Sequence, residues 1–124
     1  MPITEVVFFL QSDGSAPVRQ WLADLRRRDV TAHDKCLARI SRLAEMGFEL
    51  RRPEADFLRD GIHELRVRRG NVNYRILYCF HGRGTAVLLH GVVKEGAIPE
   101  TDFRRALDRR AQLETDPQRH VQEN

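Results

Sequence analysis

Apolar and polar residues alternate along three runs in the middle of the chain, at residues 63–69, 72–80 and 86–94. A Gly-containing break separates each run from the next. Alternation with a period of two is typical of strands that bury one face, and short Gly-containing breaks are typical of the turns between them. The pattern therefore predicts a three-stranded antiparallel meander.

The residues before the meander predict one strand and a helical hairpin. Residues 5–10, EVVFFL, form a nearly continuous apolar run, which predicts a central strand buried on both faces. A first helix is predicted to open near Pro17, because proline is well tolerated in the first turn. Its apolar stripe has helical spacing and comprises Val18, Trp21, Leu22 and Leu25. On such a stripe, Trp21 is expected to anchor the core rather than to stack on a base.

A second helix is predicted to run from an N-cap at Thr31 to a stop at Gly47. Its apolar face comprises Cys36, Leu37, Ile40, Leu43 and Ala44. We expect the two helices to form an antiparallel hairpin that lies across the sheet. Residues 48–61 are expected to connect this hairpin to the meander through a short turn that packs Phe57 and Leu58.

A last helix is predicted to begin at Pro99, with an inner stripe of Phe103, Ala106, Leu107 and Arg110. Residues 115–124 have little to bury, so we expect them to form a disordered tail after a domain of residues 1–114. The predicted order is β-α-α-β-β-β-α. This is an α+β single domain with a mainly antiparallel sheet and a helical hairpin packed on it.

The bulk composition narrows the class of protein. A chain of 124 residues fits one domain. Cys36 and Cys79 stand alone in the sequence, which argues against a structural zinc site and against a disulfide framework. No apolar run approaches the roughly 18 residues that a membrane span needs, and no signal peptide is evident, so we expect a cytoplasmic protein with no membrane partner.

Positive charge is concentrated on the meander. Residues 62–94 carry a net charge of +5, whereas the whole chain carries +3. Successive strand residues point to opposite faces, so Arg66 and Arg68 are expected to lie side by side on one face of the sheet. Such a face is a credible platform for phosphate groups, and a merely solvated basic face is the alternative.

The remaining chemistry favours phosphate binding over metal-assisted hydrolysis. The sequence contains no Gly-rich phosphate loop, Ser-His-Asp arrangement or metal-ligand pattern, so neither a metal nor an organic cofactor is expected. Metal-free cleavage of RNA uses the substrate's own 2′-hydroxyl as nucleophile and needs cations around the reacting phosphate. Arginine suits that second role and is a poor general base, because it is permanently charged. His90 lies on a hydrophobic strand, where a histidine is more often half-buried and hydrogen-bonded than catalytic.

Two segments resemble a known family. The runs ELRVRRGNVNYRILY at residues 64–78 and VLLHGVVKEGAIP at residues 87–99, followed by a closing helix, resemble the RelE/HigB toxins of type II toxin–antitoxin modules. Within the RelE/ParE superfamily the similarity is to the phage-derived HigB-like branch. The resemblance implies a ribosome-dependent endoribonuclease that cuts messenger RNA and inhibits translation. It also implies a cognate helix-turn-helix antitoxin as partner in a hetero-oligomer.

The resemblance also assigns roles by position. Arg66 and Arg68 match a basic pair, Arg75 matches the arginine of a YR-x-x-Y strand, and Lys94 matches a basic residue where the last meander strand ends. In RelE-type enzymes these residues contact the scissile phosphate. The proton-transferring tyrosine of RelE has no counterpart here, and His90 is the candidate in its place. The predicted catalytic set is Arg66, Arg68, Arg75, Lys94 and His90, and the predicted RNA-binding residues are Arg69, Tyr74 and Arg83.

Two other functions fit the same fold. One is a ParE-like toxin that inhibits DNA gyrase and has no nuclease chemistry, and the other is an inactive RNA-binding or interaction module. The converging cations favour the nuclease, because a toxin that only binds a protein does not need them on one face of a sheet. Because the proton-transferring tyrosine is missing, the inactive module remains an alternative.

Overall fold

Six strands form one sheet, in the order β2-β3-β4-β5-β1-β6, in the computed structural model, which describes residues 3–123. Strands β1 and β5 run parallel, and all other neighbours are antiparallel. The α+β single-domain fold is thereby confirmed. The elements in chain order are β1 (Glu5–Phe9), α1 (Pro17–Arg28), α2 (Val30–Met46), a 3₁₀ turn (Gly47–Glu49), β2 (Ala55–Arg59), β3 (Ile62–Arg69), β4 (Val72–His81), β5 (Thr85–Val93), α3 (Glu100–Thr115) and β6 (Val121–Glu123).

The sheet separates two apolar cores. The α1–α2 hairpin covers one face, and α3 covers part of the other. Strand β1 contributes to both, since Val6 and Phe8 pack under the hairpin whereas Val7 and Phe9 pack under α3. All four side chains are buried, which explains the unbroken apolar run and confirms a strand buried on both faces.

The helical hairpin is anchored by the predicted stripe of α1. Val18, Leu22 and Leu25 are buried, and Trp21 packs on the edge of the same core. The Trp21 ring meets Tyr74 edge to face, with centroids 6.3 Å apart. The expected role of Trp21 as a core anchor is confirmed.

Of the two predicted ends of α2, the C-terminal stop is confirmed and the N-cap is wrong. Gly47 ends the helix in a left-handed conformation with φ of 55°, as expected. The N-cap is Asp29 and not Thr31, because the Asp29 carboxylate accepts the Ala32 backbone N–H at 3.1 Å. The turn between the helices is therefore shorter than the sequence pattern suggested.

Residues 48–61 contain a strand that the sequence analysis missed. Strand β2 pairs antiparallel with β3 at one edge of the sheet, with a bulge between Phe57 and Arg59. Its sequence, ADFLR, follows Pro53 and has no clean alternation. Leu58 packs towards α3, whereas Phe57 is exposed. The connection thus forms one edge of the sheet.

The expected disordered tail is wrong for the residues that the structure describes. Val121–Glu123 form β6, antiparallel to β1. Leu113 and His120 are buried, and the His120 ring stacks on Phe9 with centroids 5.4 Å apart. The His120 Nδ1 also lies 2.7 Å from the Leu10 carbonyl oxygen. A three-residue strand held by a distant partner leaves little local signal in the sequence.

The two cysteines are free and buried. Burial raises the pKa of both thiols to about 12, so they are held in the unreactive protonated form. Among residues 3–123, none of the helices has the length and apolar character needed to cross a membrane.

Candidate functional site

Two arginines and a buried glutamate meet on the α3 face of the sheet. Arg66 on β3 lies directly opposite Arg75 on β4, and paired Cα atoms in such ladders are about 5 Å apart. Glu64 shares their face because it precedes Arg66 by two residues. Its Oε2 accepts a hydrogen bond from Arg66 Nη1 at 2.8 Å, and its Oε1 accepts one from Arg75 Nη1 at 3.0 Å. One carboxylate therefore holds two guanidinium groups.

The electrostatics of this cluster leave an unbalanced positive charge. Glu64 is 2% exposed and Arg75 is 8% exposed, so the ion pairs are largely shielded from water. The single carboxylate offsets one of the two guanidinium charges. Each guanidinium carries five N–H donors, and Glu64 takes one from each at hydrogen-bond distance. The remaining donors and the net positive charge suit an oxyanion such as a phosphate group.

A cleft opens over these residues. Its main part has a volume of about 560 Å³ and lies between β2, the β3–β4 arginines and the start of α3. An adjoining part of about 370 Å³ shares Arg66 and Arg75 with it and extends towards α2. We call the two parts together the arginine cleft. The arginines that line it are Arg39, Arg52, Arg59, Arg66, Arg68 and Arg75.

Three of these arginines were missed by sequence reasoning. Arg39 comes from α2, and Arg52 and Arg59 flank or end β2. Each lies near a carboxylate: Arg39 is 4.0 Å from Glu54, Arg52 is 2.9 Å from Asp56, and Arg59 is 2.6 Å from Glu100. The Arg59 guanidinium also lies over the Phe103 ring, 3.9 Å from its centroid. Recognising residues 55–59 as a strand paired with β3 would have placed Arg59 opposite Ile62 at the edge of the same sheet.

The predicted catalytic residues are only partly brought together. Arg66, Arg68 and Arg75 all line the arginine cleft, and Arg68 is exposed with its Nε donating to the Gly70 carbonyl at 2.9 Å. Lys94 follows the end of β5, and its backbone N–H donates to Asn73 O at 3.1 Å. Its exposed side chain is outside the lining of the cleft.

His90, the predicted proton-transfer residue, is engaged elsewhere. Its Nε2 lies 2.7 Å from Asp102 Oδ1, and its Nδ1 lies 3.1 Å from Arg109 Nη1. Because Arg109 can only donate, Nδ1 accepts and the ring proton sits on Nε2. Burial lowers the pKa of His90, and the nearby Arg109 acts in the same direction against the Asp102 hydrogen bond. A neutral His90 therefore joins β5 to α3 and does not line the cleft.

The three predicted RNA-binding residues lie away from the cleft. Tyr74 is 6% exposed in the core beneath the helical hairpin, which leaves no ring face for a base. Arg69 lies 3.5 Å from Asp29 at the junction of α1 and α2. Arg83 is in the β4–β5 turn, at the far end of β4 from Arg75, roughly 20 Å along the strand. The alternation of strand residues separates Tyr74 and Arg69 from Arg66 and Arg75.

The charge and the N–H donors of the cleft suit the binding of an anion. Within residues 3–123, there is no group of three or more His, Cys, Asp or Glu residues placed to hold a metal ion. Glu64 is a further residue of the cleft that the sequence reasoning did not assign to the site, although its position two residues before Arg66 puts it on the same face. What the cleft offers is positive charge and directed N–H donors.

Comparison with known proteins gives one result. A search of curated proteins finds no match to this chain. The model of the family described as "Phage derived protein Gp49-like (DUF891)" matches residues 23–111, which include all six arginines of the cleft. That family is associated with toxin–antitoxin systems. Because the match covers more than two thirds of the sequence, the chain belongs to the Gp49-like family of phage-derived proteins.

Proposed function

We propose that the protein is the toxin of a type II toxin–antitoxin module, of the RelE/HigB type, and that it cleaves messenger RNA on the ribosome. The observation that carries the proposal is the pair of arginines held by Glu64 at the floor of the arginine cleft. Membership of a family associated with toxin–antitoxin systems supports the biological context. A ribosomal substrate places the activity in the cytoplasm.

The reaction needs little covalent chemistry from the protein. The 2′-hydroxyl of a bound nucleotide attacks the adjacent phosphorus, the P–O5′ bond breaks, and a 2′,3′-cyclic phosphate and a 5′-hydroxyl are formed. Water accepts the proton of the 2′-hydroxyl, and water gives a proton to the departing O5′. Negative charge accumulates on the phosphorane between these steps, where fixed guanidinium donors stabilise it more than they stabilise the ground state.

In this reaction Arg66 and Arg75 bind the phosphate oxygens, and Arg68 and Arg52 hold the neighbouring backbone. Glu64 is a positioning residue, since it fixes the two guanidinium planes before the substrate arrives. No step is assigned to His90, because both of its ring nitrogens are hydrogen-bonded within the protein.

Loss of toxicity in cleft variants tests the proposal. Arg66→Ala and Arg75→Ala should abolish growth inhibition while the far-ultraviolet circular dichroism spectrum remains that of the parent. Arg83→Ala removes the same charge at the opposite end of β4 and should stay toxic. Folded cleft variants with full toxicity would contradict the proposal.

A second candidate is an RNA-binding module without cleavage activity. It is favoured by one observation, which is that His90 is engaged by Asp102 and Arg109 and is not aimed at the cleft. RNA binding that depends on Arg66 and Arg75, with no cut products on ribosomes, would identify this candidate.

The proposed partner is a helix-turn-helix antitoxin that docks on the α1–α2 hairpin. Two apolar side chains of α2 are exposed there, Val30 at 55% and Leu37 at 42%. A groove of about 400 Å³ adjoins Leu37 and is rimmed by Arg26 and Arg27. An antitoxin segment with apolar and acidic side chains fits such a surface and would inhibit without covering the arginine cleft.

A further inference from the structure

Two phenylalanine rings are exposed at one corner of the sheet. Phe48 is 58% exposed and Phe57 is 55% exposed, and all other aromatic residues in the described range 3–123 are less exposed. Phe48 stacks on Phe80 with ring centroids 3.8 Å apart. Phe57 contacts the edge of His63, with centroids 5.1 Å apart, and His63 in turn stacks on Tyr78 at 5.2 Å. Flat ring faces are thus presented to solvent by a preorganised cluster.

These rings border a pocket of about 420 Å³, which we call the aromatic pocket. Its lining comprises Phe48, Leu50, Arg51, Asp56, Phe57 and His63. Arg51 is held in place because its Nη1 donates to the carbonyl oxygens of Phe48 and Leu50. Burial lowers the pKa of His63, with the Arg51 charge acting in the same direction, so the imidazole is neutral at neutral pH. The pocket therefore combines the faces of aromatic rings, the neutral imidazole of His63 and the fixed guanidinium of Arg51.

The aromatic pocket adjoins the arginine cleft across strand β2. Asp56 and Phe57 line both, but the two sites lie on opposite faces of the sheet, because Asp56 pairs with Glu64 on the α3 face and Phe57 pairs with His63 on the hairpin face. Strand β2 is the edge strand, so its free edge connects the two faces. A flexible chain with alternating phosphates and planar rings that passes around this edge can therefore occupy the cleft and the pocket together.

The free edge of β2 is poorly suited to pairing with a peptide strand, which is another common partner of a sheet edge. The strand is five residues long, carries a bulge between Phe57 and Arg59, follows Pro53 and bears charge at Asp56 and Arg59. Bulges, proline and charges on a short edge strand are features that discourage pairing with a further strand. Aromatic faces beside a positively charged groove are the combination that binds single-stranded nucleic acid.

We propose that the aromatic pocket is a nucleobase subsite, which stacks an unpaired base of single-stranded RNA whose neighbouring phosphate lies in the arginine cleft. The proposal rests on the proposed RNA substrate but not on its cleavage. Because every base has a π-face, the pocket would favour unpaired over base-paired RNA without reading a unique sequence.

The test is equilibrium binding to a short single-stranded RNA that carries 2′-O-methyl groups throughout, which prevents attack by the 2′-hydroxyl. Fluorescence anisotropy compares the parent protein with Phe48→Ala/Phe57→Ala, and each protein is measured on the normal oligonucleotide and on an abasic version. We expect the double variant to bind the normal oligonucleotide roughly 5- to 100-fold more weakly. On the abasic oligonucleotide the two proteins should bind equally.

Controls separate stacking from loss of apolar surface. Phe57→Trp keeps an aromatic face and should retain the parent affinity, and Val93→Ala shortens an exposed apolar side chain elsewhere on the sheet and should also retain it. Equal losses on both oligonucleotides, or no loss on either, would overturn the subsite. Unchanged RNA binding with weakened antitoxin binding would instead assign the pocket to a protein partner.

Failure of the proposed function gives a different result. Arg66→Glu/Arg68→Glu should abolish binding to both oligonucleotides. If it does so while Phe48→Ala/Phe57→Ala binds normally, RNA binding in the cleft is supported and the nucleobase subsite is refuted. If the parent protein binds RNA no better than the arginine variant, RNA binding in the cleft is refuted, and the nucleobase subsite is refuted as well.

Discussion

Arg75 Nη1 lies 3.0 Å from Glu64 Oε1 in a buried site on two adjacent strands, and the same carboxylate binds Arg66. Glu64→Gln should lower the free energy of unfolding by about 3 kcal/mol, because it leaves a buried guanidinium without its counter-charge. The amide nitrogen of glutamine would also face one guanidinium, donor against donor. Urea unfolding measures the change, and toxicity should fall with it.

Glu100→Gln is the matched control for this prediction. Glu100 pairs with Arg59 at 2.6 Å, but its side chain is 60% exposed. Exposed pairs contribute at most about 1 kcal/mol, so this variant should unfold close to the parent. A Glu64→Gln loss no larger than that of the control would contradict the account of the buried cluster.

Trp21 lies so close to Gly91 that the site accepts no side chain there. A Cβ atom at Gly91 would lie 2.3 Å from Trp21 Cδ2, against the indole ring of α1. Gly91→Ala should therefore destabilise the protein by about 1–3 kcal/mol and shift the tryptophan fluorescence. Gly84→Ala is the control, because its Cβ would meet nothing within 4 Å, and its effect should stay within about 0.5 kcal/mol. Equal stability of the two variants would refute the packing of α1 on the sheet.

His90 should make the stability of the protein depend on pH. Burial lowers its pKa in the folded state below the ordinary value of about 6.5, so the unfolded chain takes up a proton first as the pH falls. The contribution of His90 is complete above about pH 6.5 and is lost as the pH drops towards its folded pKa. Urea unfolding at pH 7.5 and pH 5.5 should show this loss in the parent. In His90→Asn the loss should be smaller but still present, because the pKa of His63 is lowered as well.

The antitoxin prediction separates two modes of inhibition. If the antitoxin docks on the α1–α2 hairpin, Arg66→Glu/Arg68→Glu should abolish toxicity and leave antitoxin affinity within a few-fold. Leu37→Asp, on the exposed face of α2, should have the converse effect. A pull-down followed by titration measures both. Loss of antitoxin binding in the folded arginine variant would place the antitoxin over the cleft, where association should slow markedly with rising salt.

Much of the fold could be predicted because its signals are local. The alternation at residues 62–94 predicts β3, β4 and β5, and helical spacing predicts α1, α2 and α3. Strands β2 and β6 were missed because they are short and are held by pairing with β3 and β1, which no local pattern reveals. The proline before β2 favoured a turn, and the polar residues of the tail favoured disorder.

The same rule of alternation explains what was right and wrong at the site. It brings Arg66 and Arg75 to one face, as expected, and it also assigns Tyr74 to the opposite face with Ile76, where RNA cannot reach it. The roles of Glu64, Arg52 and Arg59 could not be inferred, because they depend on register and on an edge strand that the sequence did not reveal. His90 shows the limit most clearly, since its partners Asp102 and Arg109 come from α3.

The most direct measurement of the central claim is primer extension on a messenger RNA in translating ribosomes, with chemical analysis of the new RNA ends. We expect discrete cuts that end in a 2′,3′-cyclic phosphate with the parent protein and with Arg83→Ala. We expect none with Arg75→Ala, and none on the same messenger RNA without ribosomes. Intact messenger RNA together with DNA damage in expressing cells, or cuts that persist in a folded Arg75→Ala variant, would contradict the account.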